Sequence, residues 1–223
     1  MVKPTFLNLP EDKRQRIIDV AVEEFAGKPY SKASLSNIVS RAGIAKGSMY
    51  QYFEDKKDLY SYLLDMAVEE KMAYIKEGME PAGDFFASLE QAVYASTRFS
   101  LDHPKLGQVL ANAMDPMGEE VLQEFFSQSK QTAMDWFENM IVLGQQEGTV
   151  RRGFNTRLMA HLLYSTIGFG LMEYFLEAQN VNMHEFITNP QLAKGFTEDA
   201  IRDTVREIMD FVRGGLEAKG WGK

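Results

Sequence analysis

Residues 34–57, SLSNIVSRAGIAKGSMYQYFEDKK, constrain the fold more than any other stretch of the chain. Ser34 is placed to cap a helix. No Glu or Gln stands three residues on, so no local capping box forms; Asn37 is there instead. Ile38 and Ala42 fall on the inward face of that helix. Gly43 stands where a helix exits in the left-handed conformation, which glycine adopts without steric cost. Ile44 can then return to the core. A second, very short helix starts near Ala45, with Met49 and Phe53 four apart and inward. Lys46 and Tyr50 share another face, as do Gly47 and Gln51. Glu54 and Asp55 end it, and Asp55 can cap the next helix. Two helices joined by a short glycine-containing turn make a helix-turn-helix unit. In that unit the second helix enters the major groove of DNA with its N-terminal residues toward the base edges.

The outward residue types suit that task. Lys46 can reach phosphate or guanine, and Gly47 lets a phosphate backbone come close. Ser48 and Gln51 can hydrogen-bond base edges. Tyr50 and Tyr52 can donate to phosphates, with the ammonium of Lys56 joining them at the start of the next helix. Tyr52 suits the edge of the core equally well.

The run ASLSNIVSRAGIAKGSMYQYFEDKKDLY resembles the DNA-binding segment of TetR/AcrR-type bacterial transcription regulators. Their pattern is a Thr or Ser cap, an Ile-Ala pair, Ala-Gly-Val-Ser-Lys-Gly, an apolar residue, Tyr-x-Tyr/His-Phe and a Lys-Glu-x-Leu helix start. Here it reads Ser34, Ile38-Val39, Ala42-Gly43-Ile44-Ala45-Lys46-Gly47, Met49-Tyr50, Tyr52-Phe53 and Lys57-Asp58-Leu59. Ala45 stands where a hydroxyl residue is frequent, so its side chain cannot give the hydrogen bond that a hydroxyl would. The match covers roughly residues 10–60. It implies DNA contacts at Ser34, Ala45, Lys46, Gly47, Ser48, Tyr50, Gln51, Tyr52 and Lys56. It also implies an all-α fold, with a three-helix DNA-binding domain over residues 1–56 and a helical ligand-binding and dimerisation domain over residues 57–223.

Helical periodicity carries through the chain, to about nine helices in all. Pro10 opens the first, whose stripe is Ile17, Ile18, Ala21, Val22 and Phe25, and Gly27 with Pro29 ends it. A fourth helix runs from Lys56 to about Gly78, linking head to body. Further helices are expected over residues 84–102, 104–114, 119–146, 156–179 and 198–217, with residues 182–194 irregular.

The formal net charge is −8. It is unevenly spread: residues 1–60 carry 10 Lys and Arg against 8 Asp and Glu, whereas the rest carries 14 against 24. Only the first quarter suits phosphate, and weakly. An acidic body would help turn that head toward DNA.

The eighth expected helix is apolar on nearly every side, so it must be covered on more than one face. The ninth has a stripe at steps of three and four. Two such helices from each of two subunits would make an intermolecular four-helix bundle. The resemblance implies a homodimer of this kind, and its interface is expected at Leu158, Leu162, Ser165, Ile201, Val205, Ile208 and Val212. Such a dimer would space two heads about 34–36 Å apart, one turn of DNA.

Eleven of the 13 methionines follow residue 60, and methionine adapts to varied ligands. The resemblance implies an apolar or amphipathic small-molecule effector held inside the body. Candidate lining residues are Met66, Phe99, Trp136, Met140, Tyr164, Phe169, Met172 and Glu173. For each of them, core packing is the competing role. Glu173 suits a cationic ligand or a bundle-edge charge; Arg98 and His103 suit a carboxylate.

No catalytic or metal motif is present. His103, His161 and His184 lie far apart, and the P-loop, GxGxxG, GxSxG and HExxH patterns are absent. With no cysteine there is no disulfide framework and no thiolate. No enzyme activity and no cofactor are expected. The N-terminus lacks a secretory h-region, and residues 159–176 are too interrupted by polar groups to span a membrane, so a cytoplasmic setting is expected. The expected partner is operator DNA, and the expected action is repression relieved by the effector. A helical small-molecule binding module with a non-functional head, and a helical enzyme, are the rival readings.

Overall fold

The computed structural model describes residues 2–79, 83–114, 120–167 and 170–218, without the side chains of Val121, Met172, Glu173, Pro190, Ala193 and Lys194. The described residues are all-α. The helices are α1 (Pro4–Leu7), α2 (Glu11–Ala26), α3 (Leu35–Ala42), α4 (Lys46–Tyr52), α5 (Lys56–Glu77) and α6 (Phe85–Asp102). They continue with α7 (Pro104–Ala113), α8 (Gln123–Glu147), α9 (Thr156–Ile167), α10 (Gly170–Ala178), α11 (Met183–Thr188) and α12 (Glu198–Leu216). The one β interaction among them is an isolated antiparallel bridge between Val150 and Glu217.

The chain forms two compact units. The first takes residues up to Lys71 and then His103–Phe126, so it reaches well beyond residue 56. Its core is the inward stripe of α2, which buries Ile17, Ile18, Ala21, Val22 and Phe25. Ile38, Val39 and Ala42 of α3, Met49 of α4 and Leu59, Leu63, Leu64 and Ala67 of α5 are buried with them. Each fully buried large apolar side chain contributes about 1.5–3 kcal/mol. Helix α7 belongs here as well, packed along α2. The Asn112 amide donates to the Phe25 carbonyl at 3.0 Å, and the Tyr60 hydroxyl to the Val109 carbonyl at 3.1 Å.

Pro10 is the N-cap of α2 rather than its first residue. Helix α1 is an addition to the sequence reading. Pro4 opens it, and Phe6 is fully buried against the rings of Tyr52, Phe53 and Tyr62 at 4.7–5.7 Å.

The second unit takes Met72–Asp102 and Ser127 onward. Here α12 lies against α6, burying Ile201, Val205, Met209, Val212 and Leu216. Aromatic contacts fasten the pair: the guanidinium of Arg202 lies 4.5 Å from the Tyr94 ring and that of Arg213 4.5 Å from the Phe86 ring. The stretch after residue 181 is more ordered than its turn residues suggest. Asn182 and Glu185 form a reciprocal capping box that starts α11. A 3-10 segment, Pro190–Gly195, follows. The spacing Asn-x-x-Glu carries that signal; the surrounding Asn and Pro obscure it.

Candidate nucleic-acid interface

The short helix α4 is exposed on one side and locked on the other. Lys46, Gly47, Tyr50 and Gln51 are exposed and Ser48 is half-buried, while Met49, Tyr52 and Phe53 are buried. The turn before it is a Schellman motif. Gly43 has φ of +67°, its N–H donates to the Ser40 carbonyl, and the Ile44 N–H donates to the Val39 carbonyl at 3.2 Å. That geometry sets the angle between α3 and α4.

The start of α3 is held from outside the helix. Ser34 accepts from the Asn37 N–H at 3.4 Å. The missing local glutamate is supplied by Glu24 of α2, which is buried. Its carboxylate accepts from the Ser34 N–H at 3.0 Å, Lys28 Nζ at 2.7 Å and Asn37 Nδ2 at 3.4 Å. Burial would raise its pKa, but the bonds from Lys28 and Ser34 outweigh burial and leave it lowered. Its neighbour Glu23 accepts from both Lys105 on α7 and Arg41 on α3. The bond from Lys105 is the main cause of the lowered pKa of Glu23.

The end of α4 is braced by the N-terminal segment. The Lys3 N–H donates to the Tyr52 carbonyl at 2.9 Å, Lys3 Nζ to the Tyr50 carbonyl at 2.8 Å, and the Thr5 hydroxyl to the Gln51 carbonyl. A helix leaves its last carbonyls without partners and its C-terminus partly negative. Lys3 and Thr5 answer both needs. The sequence reading did not find this brace. Its only local sign is Pro4 in a helix-starting position next to a lone Phe6.

The expected contact residues therefore divide. Lys46, Gly47, Tyr50 (53% exposed) and Gln51 share the open side of α4. Ala45 is the exposed N-cap and offers no side-chain bond. Ser34 spends its hydroxyl on the α3 cap. Tyr52 is 5% exposed with its ring against Phe6, so it belongs to the core. Lys56 turns inward: its ammonium donates to the carbonyls of Tyr30, Ala33 and Ser31 at 2.7, 3.2 and 3.4 Å, and lies 4.3 Å from the Tyr30 ring. It fastens the α2–α3 connection. Asp55 caps α5 by accepting from the Asp58 N–H at 2.8 Å.

Gly47 is informative through what surrounds it. A Cβ built there would meet no atom of this chain within 4 Å, and its φ is not positive. Neither packing nor backbone conformation within the chain requires glycine there.

The expected effector residues occupy varied settings. In the first unit Met66 is half-buried. In the second, Phe99 is fully buried against the Tyr74 ring at 5.8 Å, and Met140 is half-buried. Trp136 lies on the exposed side of α8. Tyr164 is buried, which pushes its hydroxyl up to about 12. Phe169 and the side chains of Met172 and Glu173 lie outside the described residues. An open cleft of about 470 Å³ in the second unit is lined by Lys130, Gln131, Met134, Arg157, Leu158 and His161 among others, and by none of the expected effector residues.

Three of the expected dimer residues are buried within the single subunit. Ile201, Val205 and Val212 are at most 5% exposed, because they form the stripe of α12 that packs on α6 of the same subunit. Ile208 is half-buried, whereas Leu158, Leu162 and Ser165 are exposed along one face of α9. Phe211, which the stripe argument passed over, is 78% exposed. Its signal in sequence is an aromatic residue off the α12 stripe, followed by Gly214 and Gly215.

Among the described residues no helix is long and apolar enough to cross a membrane, and no group of three or more His, Asp or Glu is placed to hold a metal ion.

Comparison with known proteins extends this picture. The family model for bacterial regulatory proteins of the tetR family matches residues 17–63. A TetR family transcriptional regulator from Chloroflexus aurantiacus J-10-fl is 30% identical, with a TM-score of 0.80 over 98% of this chain and 100% of that one. A fatty acid metabolism regulator protein of Bacillus subtilis is 27% identical over 176 residues, covering 77% of this chain and 88% of the relative. The fold is also that of the Bacillus subtilis regulator FadR, solved in complex with stearoyl-CoA. That structure is 20% identical, with a TM-score of 0.66 over 87% and 96% of the two chains.

A helix-turn-helix head whose second helix is braced and left open, joined to a larger helical body, defines a DNA-binding transcriptional regulator. The chain belongs to the TetR family of bacterial transcriptional regulators.

Proposed function

We propose that this protein is a homodimeric repressor that reads an operator through α4 and leaves it when a small amphipathic molecule binds its body. In this reading residues 1–56 contact DNA and residues 57–223 carry the effector site and the dimer interface. The observation that carries it is the open side of α4. Lys46, Gly47, Tyr50 and Gln51 are exposed there on a helix fixed at both ends, with a glycine whose missing side chain nothing in the chain requires. A phosphate backbone pressed against Gly47 explains that vacancy.

Lys46 and Tyr50 donate to phosphates, and Ser48 and Gln51 reach base edges. For Ser34, the cap of α3 is the first duty. With little net positive charge on the head, two heads must bind together for useful affinity. Leu158 and Leu162 of α9, with Phe211 and Ile208 of α12, supply the apolar surface for pairing, and the small Ser165 lets a second helix come close. The stearoyl-CoA bound by one of the two Bacillus subtilis proteins, and the fatty acid metabolism regulated by the other, favour an amphipathic effector. Effector and operator oppose each other through two states of the dimer, so each weakens the other by the same factor.

The test is fluorescence anisotropy of the full-length protein with DNA from its own promoter region. Specific binding at modest salt is expected in the nanomolar range, with losses for Lys46→Ala and Tyr50→Ala. Binding no tighter than to unrelated DNA, or unchanged affinity in both variants, rules the reading out.

A further inference from the structure

Phe211 is 78% exposed, more than any other large apolar side chain among the described residues. Its helix packs another face on α6 and leaves this one open. Three and four residues on, along the same face, stand Gly214 and Gly215. Neither has a positive φ, and a Cβ built at either meets nothing within 4 Å. Glycine weakens a helix interior, and nothing inside the subunit requires it here. The pair leaves bare helix backbone beside an open aromatic ring. The unmatched charges nearby are acidic. Glu207, one turn before Phe211, and Asp210 are exposed, and among the described residues neither makes an ion pair or a side-chain hydrogen bond. The neighbouring cations are already engaged, Arg206 with Asp203 and Arg213 with Glu217.

The same unit carries a cleft of the opposite charge. It has a volume of about 470 Å³ and lies between α8 and the start of α9. Met134, which is buried, and Leu158 form its apolar part, and Lys130, Arg157 and His161 its basic part. Arg157 is held by bonds to Asp135 and Glu138 at 2.7 and 3.1 Å, and neither carboxylate lines the cleft. The end of α12 lies beside the residues that lead into α9: the Arg151 N–H donates to the Leu216 carbonyl at 2.9 Å, and Val150 bridges to Glu217. Knob and cleft therefore stand at one end of the unit. From the cleft, Leu158 continues into Leu162 along the exposed face of α9.

We propose that Phe211 of each subunit inserts into the α8–α9 cleft of the other, with Glu207 and Asp210 set against its basic residues. The occupant of the cleft is thus a second copy of this chain. This deepens the homodimer reading and rests on it. Each subunit carries both the knob and the cleft, so a two-fold axis makes the contact twice. An aromatic anchor in a pocket carries much of an interface's affinity, and here the ring takes the apolar part of the cleft. The opposite charges around it fix how the two copies meet. Gly214 and Gly215 let the facing helix come close.

The chain has no cysteine, so a pair of introduced thiols reports one contact. Phe211→Cys is combined with His161→Cys and, separately, with Leu158→Cys in the full-length protein. Under mild oxidation at least one combination is expected to give a covalent dimer on a non-reducing gel, while each single variant does not. Glu207→Lys and Lys130→Glu should each weaken the dimer at least about tenfold in sedimentation, and together recover most of that loss. A covalent dimer from any single variant means that the residue faces its own copy, and overturns the proposal. So does the absence of a covalent dimer from both combinations, or a pair of charge variants whose losses add. Sedimentation of the parent chain separates the two levels. A dimer without these cross-links removes the cleft contact alone, whereas a monomer removes the homodimer reading itself.

Discussion

The Glu24 carboxylate of α2 accepts a hydrogen bond, at 3.0 Å, from the backbone N–H of Ser34, the residue that caps α3. It thus completes across the fold the capping box that the local sequence leaves open. Glu24→Ala strands a part-buried N–H and removes the partner of Lys28, so a loss of about 1–3 kcal/mol is expected in urea denaturation. Glu24→Gln should lose less. The folded pKa of Glu24 is lowered, so its stabilisation is present above the ordinary glutamate range and is lost as pH falls through the folded value. Denaturation across acidic pH should show that part of the slope missing in Glu24→Gln.

Gly47→Ala separates folding from reading. The added methyl meets nothing in the chain, and alanine in a helix is favoured over glycine by about 0.5–1 kcal/mol. Stability should stay level or rise slightly, while operator affinity falls because the phosphate backbone no longer fits. Denaturation and anisotropy on the same variant check both halves.

Lys46→Ala should weaken binding to specific and unrelated DNA alike. Each lost phosphate contact lowers the salt slope by about 0.9, so a dimer lacking both lysines should lose about 2. Gln51→Ala should instead narrow the gap between specific and unrelated DNA, with little change in slope. Anisotropy at several salt concentrations tells them apart.

Phe6→Ala should destabilise the first unit by about 3–5 kcal/mol, since it empties a fully buried aromatic site. Lys3→Ala removes one bond to the end of α4 and should cost stability far less. It should lower operator affinity more than its effect on stability explains. Thermal melts set beside anisotropy give the comparison.

Phe211→Glu and Val205→Ser should fail in different ways. Phe211 is 78% exposed, so its replacement should leave the fold intact and shift sedimentation toward monomer. Val205 is 1% exposed within its own subunit, so its replacement should lower the melting temperature directly. If Phe211→Glu stays as dimeric as the parent protein, α12 does not pair through that residue.

Much of the head is legible locally. Gly43, the stripes of α2 and α3, the Met49–Phe53 pair and the Asp55 cap all follow from spacing, because each depends on neighbours within one or two turns. The sorting of the outward residues does not. In sequence Tyr52 suits a contact or the core edge and Lys56 suits a contact, yet the first packs on Phe6 and the second is fastened to the carbonyls of residues 30, 31 and 33. In the body, the α12 stripe is readable, but whether a buried stripe faces its own subunit or another copy is not written in its period.

By itself the sequence determined that the chain is helical, that it carries a helix-turn-helix, and which side of α4 is apolar. Those properties come from hydrogen bonds and side chains three or four residues apart. Only the tertiary structure decided that Glu24 completes the α3 cap, that Lys3 and Thr5 close the end of α4, that α7 packs on α2, and that Val205 is core while Phe211 is surface. These depend on which segments meet after the chain has folded. A carboxylate, an ammonium or an aromatic ring then does whatever the groups brought to it allow.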